Sequence, residues 1–511
     1  MQRNVVIGID SSTTATKAIA WDRNGAPVAE GRAAIPLVQP RARCFEQDPE
    51  DWWRSTFLAL RELTARVEPA RIAGVAISNQ RETFGLFGEC GEPIRPAIVW
   101  LDQRAMDHMR RFGESFGAEK IHAISGKPVD ITPCLYRMVW LRENEPRLLD
   151  RAAYIADVDG YLCFRLTGRW ITSTASADPM GILDMERLVW SRDLLAAAGV
   201  PIHKMLPLVR PGAFVGTISE AAAQATGLPG DTPVFAAGGD GQCAGTGVEV
   251  MRSGRAYINL GTAVVSGSYA ERYAFDAAFR TETAVADRGY ILETCLRAGT
   301  FLIDWLSREF LGIDPRRRLE ALSALEAEAA ASPVGANGVM LVPYWQGCMT
   351  PYWDAAARGV IAGLSGSTRR RDLYRALLEG VVLEQALASS RLQAGCGQTI
   401  DHYIAVGGGA ASDLWLQILA DAAGVPVHRS TSKEASSLGA AIAAAKGCGW
   451  FGSFVEASAA MAGPVVRTFE PRPKEKEAYA ELGEIYRELW PTLSSWNQRL
   501  ASFVERRAAK L

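Results

Sequence analysis

Short apolar runs alternate with polar turns from the start of the chain. Val5, Val6, Ile7 and Ile9 form a β-branched run ending at Asp10, which predicts a strand. Residues 11–17, Ser-Ser-Thr-Thr-Ala-Thr-Lys, predict a tight hydroxyl-rich turn, and Ala18-Ile19-Ala20-Trp21 predicts a second strand. Asn24-Gly25 then marks a hairpin. Over residues 48–66, Asp48 is a helix N-cap, Pro49 suits the first helical position, and Trp52, Phe57, Leu60 and Leu63 lie near helical spacing. Residues 72–78 read as a buried strand that runs into Asn79-Gln80-Arg81-Glu82-Thr83, and residues 97–100 as a strand leading to Asp102.

The same layout returns later. An apolar strand at 234–237 enters Gly238-Gly239-Asp240-Gly241, and a second meander follows: strand 255–260, turn Gly261-Thr262-Ala263, strand 264–267. Two halves that each open with strand, small polar turn and strand predict a duplicated α/β architecture with its boundary near 245–255. Residues 369–394 predict a long helix, and a strand at 402–406 delivers Gly407-Gly408-Gly409-Ala410 before a helix from about Ser412. Residues 437–441 open a small-residue helix. Beyond Pro471, Tyr479, Leu482, Tyr486 and Leu489 mark an amphipathic helix. It packs either on its own domain or on a partner, so a homodimer stays open.

Length and composition narrow the classes. With 511 residues, about three domains or two large ones are expected. Fifty-five basic against 57 acidic residues leave a net charge of −2, which excludes a broad basic field for nucleic acid or anionic membranes, though not a local patch. Nine cysteines, an odd number without a C-x-x-C pair, argue against a disulfide scaffold or zinc ribbon and for reduced thiols. The five histidines have no H-x-x-x-H spacing. No apolar run approaches 18 residues and the first residues lack a signal-peptide core, so a cytoplasmic protein is expected.

The turns carry the candidate chemistry. Backbone N–H groups and hydroxyls after Asp10 suit phosphate oxygens, Lys17 adds positive charge, and Asp10 suits magnesium held through water. The other reading is an ordinary hydrophilic hairpin. The three glycines at 407–409 lack the rest of a dinucleotide fingerprint, since Ser412 replaces its last glycine; close approach to a purine or phosphate is the better use. No G-x-x-x-x-G-K-[ST] occurs. Asp240, between glycines at a strand end, can take a proton from a substrate hydroxyl, or cap a helix. Arg81 and Glu82 can donate to and accept from a polyol, or form a surface ion pair. Trp100 either walls that pocket or belongs to the core.

Together these turns resemble the FGGY family of carbohydrate kinases, in the actin/hexokinase superfamily. The resemblance runs from Val5 to about Ala445 and rests on five pieces. Gly8-Ile9-Asp10-Ser11-Ser12-Thr13-Thr14-Ala15-Thr16-Lys17 is similar to the first phosphate motif, and residues 132–144 (TPCLYRMVWLREN) to the N-terminal signature. Gly238-Gly239-Asp240 resembles the catalytic aspartate turn. Residues 351–354 (PYWD), Ala357-Arg358-Gly359, Gly363-Leu364 and residues 372–379 resemble the C-terminal signature. Gly408-Gly409-Ala410 and residues 437–441 resemble the adenosine motif and connecting helix. Three positions depart: Ser12 and Arg137 stand where Gly and Lys are usual, and Leu377 where a smaller residue is.

The resemblance implies an α/β fold of two actin-like (ribonuclease H-like) domains around a central cleft. Residues 1–248 would form the N-terminal domain with the sugar site and first phosphate motif, 249–470 the nucleotide-binding C-terminal domain, and 471–511 a helical tail. It implies transfer of the γ-phosphoryl of Mg-ATP to a sugar or polyol hydroxyl, with Asp240 as general base. Asp10 and Asp240 would hold Mg2+. Thr13, Thr14 and Lys17 would meet the phosphates with Gly261 and Thr262. Gly408, Gly409 and Asp413 would lie beside the adenosine, and Arg81, Glu82 and Trp100 would hold the sugar.

Residues 78–83 (SNQRET) resemble the glycerol-binding segment of glycerol kinases. Thr132 and Gly241, however, stand where those enzymes carry a Tyr and a Gln. Both changes remove bulk, so an emptied pocket for a longer substrate is expected: a xylulose-like pentulose or a tetrulose, with glycerol as the alternative. A non-catalytic sugar-sensing regulator and an ATP-driven chaperone or filament protein are the remote alternatives from other classes.

Overall fold

The computed structural model describes residues 3–432 and 434–508; of the tail expected at 471–511, the last three residues lie outside the described residues. Two mixed sheets organise the chain. The first is built from β1 (Val5–Ser11), β2 (Ala15–Asp22), β3 (Pro27–Ala34), β4 (Ile72–Asn79), β5 (Phe214–Thr217) and β6 (Pro233–Gly239), in the order β5-β6-β4-β1-β2-β3. The second holds β7 (Gly254–Leu260), β8 (Val264–Ala270), β9 (Arg280–Thr283), β10 (Tyr290–Leu296), β11 (Ile400–Val406), β12 (Val427–Ser430) and β13 (Val465–Phe469), in the order β9-β10-β8-β7-β11-β12-β13.

The two sheets repeat one plan. In each, an antiparallel hairpin (β1/β2 or β7/β8) is followed on its other side by two parallel strands (β4 and β6, or β11 and β12). An antiparallel strand closes that edge, β5 or β13. This is the duplicated architecture that the two meanders predict. Buried parallel strands read as continuous apolar runs, and β4 is buried at every position.

Helices cover the sheets. Helix α1 (Pro49–Thr64) starts where expected: the Asp48 side chain accepts from Glu50 N, and Pro49 fills the first position. Helix α2 (Asp240–Gly247) begins at the residue that ends the β6 turn. The long α3 (Arg370–Cys396), α4 (Asp413–Ala423), the small-residue α5 (Ala435–Gly447) and the tail α6 (Pro473–Ala508) follow. Ser412 caps α4 by accepting from Trp415 N. The expected strand at 97–100 contracts to Ala97–Ile98, in a smaller five-stranded sheet inserted in the first half.

Helix α5 ties the halves together. A Cβ on Gly8 would lie 1.9 Å from Ser437 O, so the backbones of β1 and α5 touch directly. Ser437 Oγ donates to Gly8 O at 2.9 Å and accepts from Trp21 Nε1 at 3.1 Å. One apolar cluster holds Val6, Ile19, Ala76 and Phe235 from the first sheet together with Leu438 and the alanines of α5.

The proximal tail packs on its own half. Tyr479, Tyr486 and Trp490 are buried in the cluster beneath α3, and Tyr486 donates to Glu384 at 2.6 Å. Among the described residues, no helix is long and apolar enough to cross a membrane.

Candidate active site

One row of paired residues sets the site. Lys17 pairs with Asp10, Asp10 with Ser78, and Ser78 with Gly238, across β2, β1, β4 and β6. The parallel strands β1, β4 and β6 therefore end side by side. Their ends carry Asp10, then Arg81 and Glu82, then Asp240. Ligands of open α/β sheets bind beyond such carboxyl ends.

Asp10 accepts from Ser78 Oγ at 3.2 Å. Burial, reinforced by the nearby charge of Asp240, pushes its carboxyl up to about 7. A buried carboxylate beside a second one forms a place where a divalent cation fits. Among the described residues, no group of three or more His, Cys, Asp or Glu side chains is arranged to hold a metal alone, so further oxygens would come from a ligand.

In the first turn, Ser12 N and Oγ both donate to Ala15 O, at 3.0 and 2.8 Å. Thr13 is half-buried and Thr14 exposed. Gln47 Nε2 donates to Thr13 O at 2.6 Å while Gln47 Oε1 accepts from Gln80 Nε2 at 2.8 Å, linking the turn to the segment before Arg81. Trp100 bridges the same two regions: its Nε1 donates to Thr13 Oγ1 at 2.9 Å and its N to Thr83 Oγ1 at 3.2 Å. Lys17 Nζ donates to both oxygens of Glu434, at 2.7 and 2.6 Å.

Arg81 and Glu82 do not stand at a free surface. Arg81 Nε lies 3.1 Å from Asp240 Oδ1, and Nη1 donates to Glu293 Oε2 at 3.0 Å. Glu82 pairs with Arg280 at 2.7 Å, and Arg280 also bonds Glu293 Oε1 at 2.6 Å. Lys127 joins Asp178 to Glu282, both at 3.3 Å. Glu82, Asp178, Glu282 and Glu293 are all buried. Burial opposes every one of these charges. At Glu293, Arg280 and Arg81 outweigh it and hold the carboxyl below the usual range; at Glu82, burial wins and the carboxyl is raised.

Glu82 is also backbone-strained, with φ +47°. Arg137, wholly buried, holds it there. Its Nη2 donates to Glu82 O at 2.7 Å and to Thr132 O, and its Nη1 to Val99 O at 2.6 Å. A lysine could not serve three carbonyls in this fork.

The space at Gly241, expected to be empty, is occupied. A Cβ on Gly241 would sit 3.0 Å from Glu293 Oε2 and 3.2 Å from Arg81 Cζ. The space beside Asp240 is filled by the Arg81–Glu293 pair, because an ion pair between the halves takes the volume that a missing side chain leaves. Thr132 is buried and donates to Asp130 at 2.8 Å.

In the second half, Gly261 and Thr262 form the β7–β8 turn, where Gly261 O accepts from Thr300 N at 2.8 Å and Thr262 is exposed. Gly408 is exposed and Gly409 buried in the turn after β11. Asp413, at the start of α4, is engaged by Arg429 at 2.6 Å and by Arg467. The structure thus gathers Asp10, Arg81, Glu82, Asp240 and the first turn on one sheet edge, and sets the 261–262 and 408–409 turns at the corresponding edge of the other sheet.

Sequence reasoning missed Arg280, Glu282, Glu293, Lys127 and Asp178. The available signal was charge inside buried strands: Arg280 and Glu282 alternate along β9, and Glu293 interrupts the otherwise uncharged β10.

Comparison with known proteins identifies the family. Residues 5–247 match the N-terminal domain of the FGGY family of carbohydrate kinases, and residues 256–448 its C-terminal domain. A xylulose kinase of Bacillus subtilis is 31% identical over 98% of this chain and 99% of its own. A glycerol kinase of Citrifermentans bemidjiense is 32% identical, over 93% and 96%. The crystal structure of a xylulose kinase from Rhodospirillum rubrum superposes with a TM-score of 0.90 at 26% identity, covering 96% of this chain and 99% of that one. The two sheets are those of a two-domain actin-like fold. With both halves matched in order and relatives aligned over nearly their full length, the chain belongs to the FGGY family of carbohydrate kinases.

Proposed function

We propose that the protein transfers the γ-phosphoryl of ATP to a hydroxyl of an open-chain ketose, with a xylulose-like pentulose as substrate. One observation carries this reading: Asp10, the Arg81-Glu82 pair and Asp240 end three neighbouring strands of one sheet. Asp240 is the general base for the sugar hydroxyl, and Arg81, Glu82 and Trp100 shape the sugar site. Thr13, Thr14, Lys17, Gly261 and Thr262 receive the phosphates, and Gly408 and Gly409 face the adenosine, with Asp413 beside them. Asp10 and Asp240 would hold Mg2+, which when bound neutralises charge on the phosphates. On this reading residues 1–248 bind the sugar, 249–470 the nucleotide, and 471 onward form a tail that braces the second half. The enzyme works in the cytoplasm with no nucleic-acid or membrane partner; its nine cysteines are all free.

Xylulose is favoured by the kinases of that name among the relatives. Glycerol is the second reading, favoured by residues 78–83 and by the glycerol kinases at similar identity. The test is a coupled ADP assay over ketoses and polyols. Xylulose is expected to give the highest kcat/KM, and a clear preference for glycerol would reverse the order. Asp240→Asn is expected to lower turnover by about 10²–10⁴-fold while ATP still binds; sugar phosphorylation at the wild-type rate would remove Asp240 from the role of base.

A further inference from the structure

Arg81 lies flat across the turn that carries Asp240. A Cβ on Gly239 would meet Arg81 Cγ at 2.6 Å and Cδ at 2.7 Å, and one on Gly241 would meet Arg81 Nη1 at 3.2 Å. The guanidinium fits there because both flanking residues lack side chains. Gly241 N donates to Asp240 Oδ1 at 2.8 Å, and Arg81 Nε faces the same oxygen at 3.1 Å. Both donors fall on Oδ1. Among the described residues, Asp240 Oδ2 and Arg81 Nη2 have no hydrogen-bond partner in the protein.

What holds this arrangement comes from the other half of the chain. Glu293 sits on β10, paired with β8 on one side and β9 on the other. Its Oε2 accepts from Arg81 Nη1 at 3.0 Å and from Tyr257 OH at 3.2 Å, and its Oε1 accepts from Arg280. A carboxylate held by a strand, a tyrosine and a second arginine has little freedom to follow Arg81; Arg81 must follow it.

We propose that Glu293 is a positioning residue for the sugar. Through the opening left by Gly241 it pins Arg81 to Asp240 Oδ1, so that Arg81 Nη2 and Asp240 Oδ2 are presented at a fixed spacing as donor and acceptor for neighbouring substrate hydroxyls. This rests on the kinase reading above and deepens it: the second half, besides any part in nucleotide binding, sets the sugar site. Fixed donor–acceptor spacing is how a polar site discriminates among substrates rich in hydroxyls.

The test is steady-state kinetics of Glu293→Gln, Glu293→Asp and Gly241→Gln with xylulose, glycerol and ATP. Glu293→Gln keeps the volume and removes the charge. Gly241→Gln leaves every charge in place and pushes into the pair. Both are expected to raise the KM for xylulose about 10-fold or more and to narrow the preference for xylulose over glycerol, with the KM for ATP within about twofold. Glu293→Asp is expected to recover part of the loss. A sugar KM and preference within about twofold of wild type in Gly241→Gln would overturn the proposal, and that variant decides the matter if Glu293→Gln does not fold. A wild-type enzyme that phosphorylates no ketose or polyol removes the kinase reading; an active wild type with unchanged variants removes only the role of Glu293.

Discussion

Lys17 donates both its short hydrogen bonds to Glu434, a residue from the other half of the chain. The cation proposed to meet the phosphates is therefore already paired. Both side chains are about 30% exposed, so the pair is weak and screened. Phosphates arriving at the turn would compete with Glu434 for Lys17. Glu434→Gln is expected to lower the KM for ATP by about two- to fivefold at low salt, less at high salt, and Lys17→Met to raise it about 10-fold. ATP titrations at two ionic strengths check both.

Arg137 serves three carbonyls, on Val99, Glu82 and Thr132, from a wholly buried position. Arg137→Lys keeps the charge and cannot reach all three. With hydrogen bonds from charged donors worth about 1.5–3 kcal/mol each, a drop in Tm of several degrees is expected. Release of Glu82 from its strained conformation should also reduce kcat/KM for the sugar by about 10-fold or more, with ATP affinity retained. Calorimetry and sugar titrations measure the two effects separately.

Asp10 is pushed up to about 7 by burial and by the charge of Asp240. Below that pH its carboxyl is protonated, and a metal ion bound there as proposed would have to displace the proton. Apparent Mg2+ affinity is expected to fall by up to about 10-fold per pH unit below 7 and to level off above it. Mg2+ titrations of activity at pH 6 and 8 test this. In Asp10→Asn the pH dependence of Mg2+ affinity should vanish together with most of the affinity.

Glu384 anchors the tail through Tyr486 and also accepts from Tyr344 at 2.7 Å. Burial raises its carboxyl to about 7, with the two tyrosine hydroxyls and Arg391 pulling the other way. The folded state thus binds a proton that the unfolded chain releases near 4.5. Stability from this group is full below about 4.5 and declines as pH rises to about 7, by on the order of 3 kcal/mol. Glu384→Gln should flatten that part of the Tm–pH curve and be the more stable protein at pH 8.

The sequence reveals groups held at strand ends more readily than groups held between the halves. Asp10 and Asp240 are legible because each closes an apolar run and opens a polar turn, and register then makes them neighbours. The duplicated sheet is legible because two meanders share one layout. Glu293 and Arg280 are not, because their significance lies in what faces them: Arg81 and Glu82, about 200 positions away in the chain. The occupied space at Gly241 is hidden for the same reason. Reading Gly241 as a missing side chain takes no account of a carboxylate arriving from another sheet. Trp100 and Asp413 show the same limit, since their partners Thr13, Arg429 and Arg467 are set by tertiary contact alone.

The backbone contact between Gly8 and Ser437 bears on how the polypeptide is made. Strand β1 is covered by a helix that follows it by more than 400 positions, and the alanines of that helix complete the apolar layer over Val6, Ile19 and Phe235. During translation that face of the first sheet stays only partly covered, by α2, until residues 435–447 are made. Folding here thus joins segments 429 positions apart, and a chain lacking residues 435–447 would leave that part of the apolar layer uncovered.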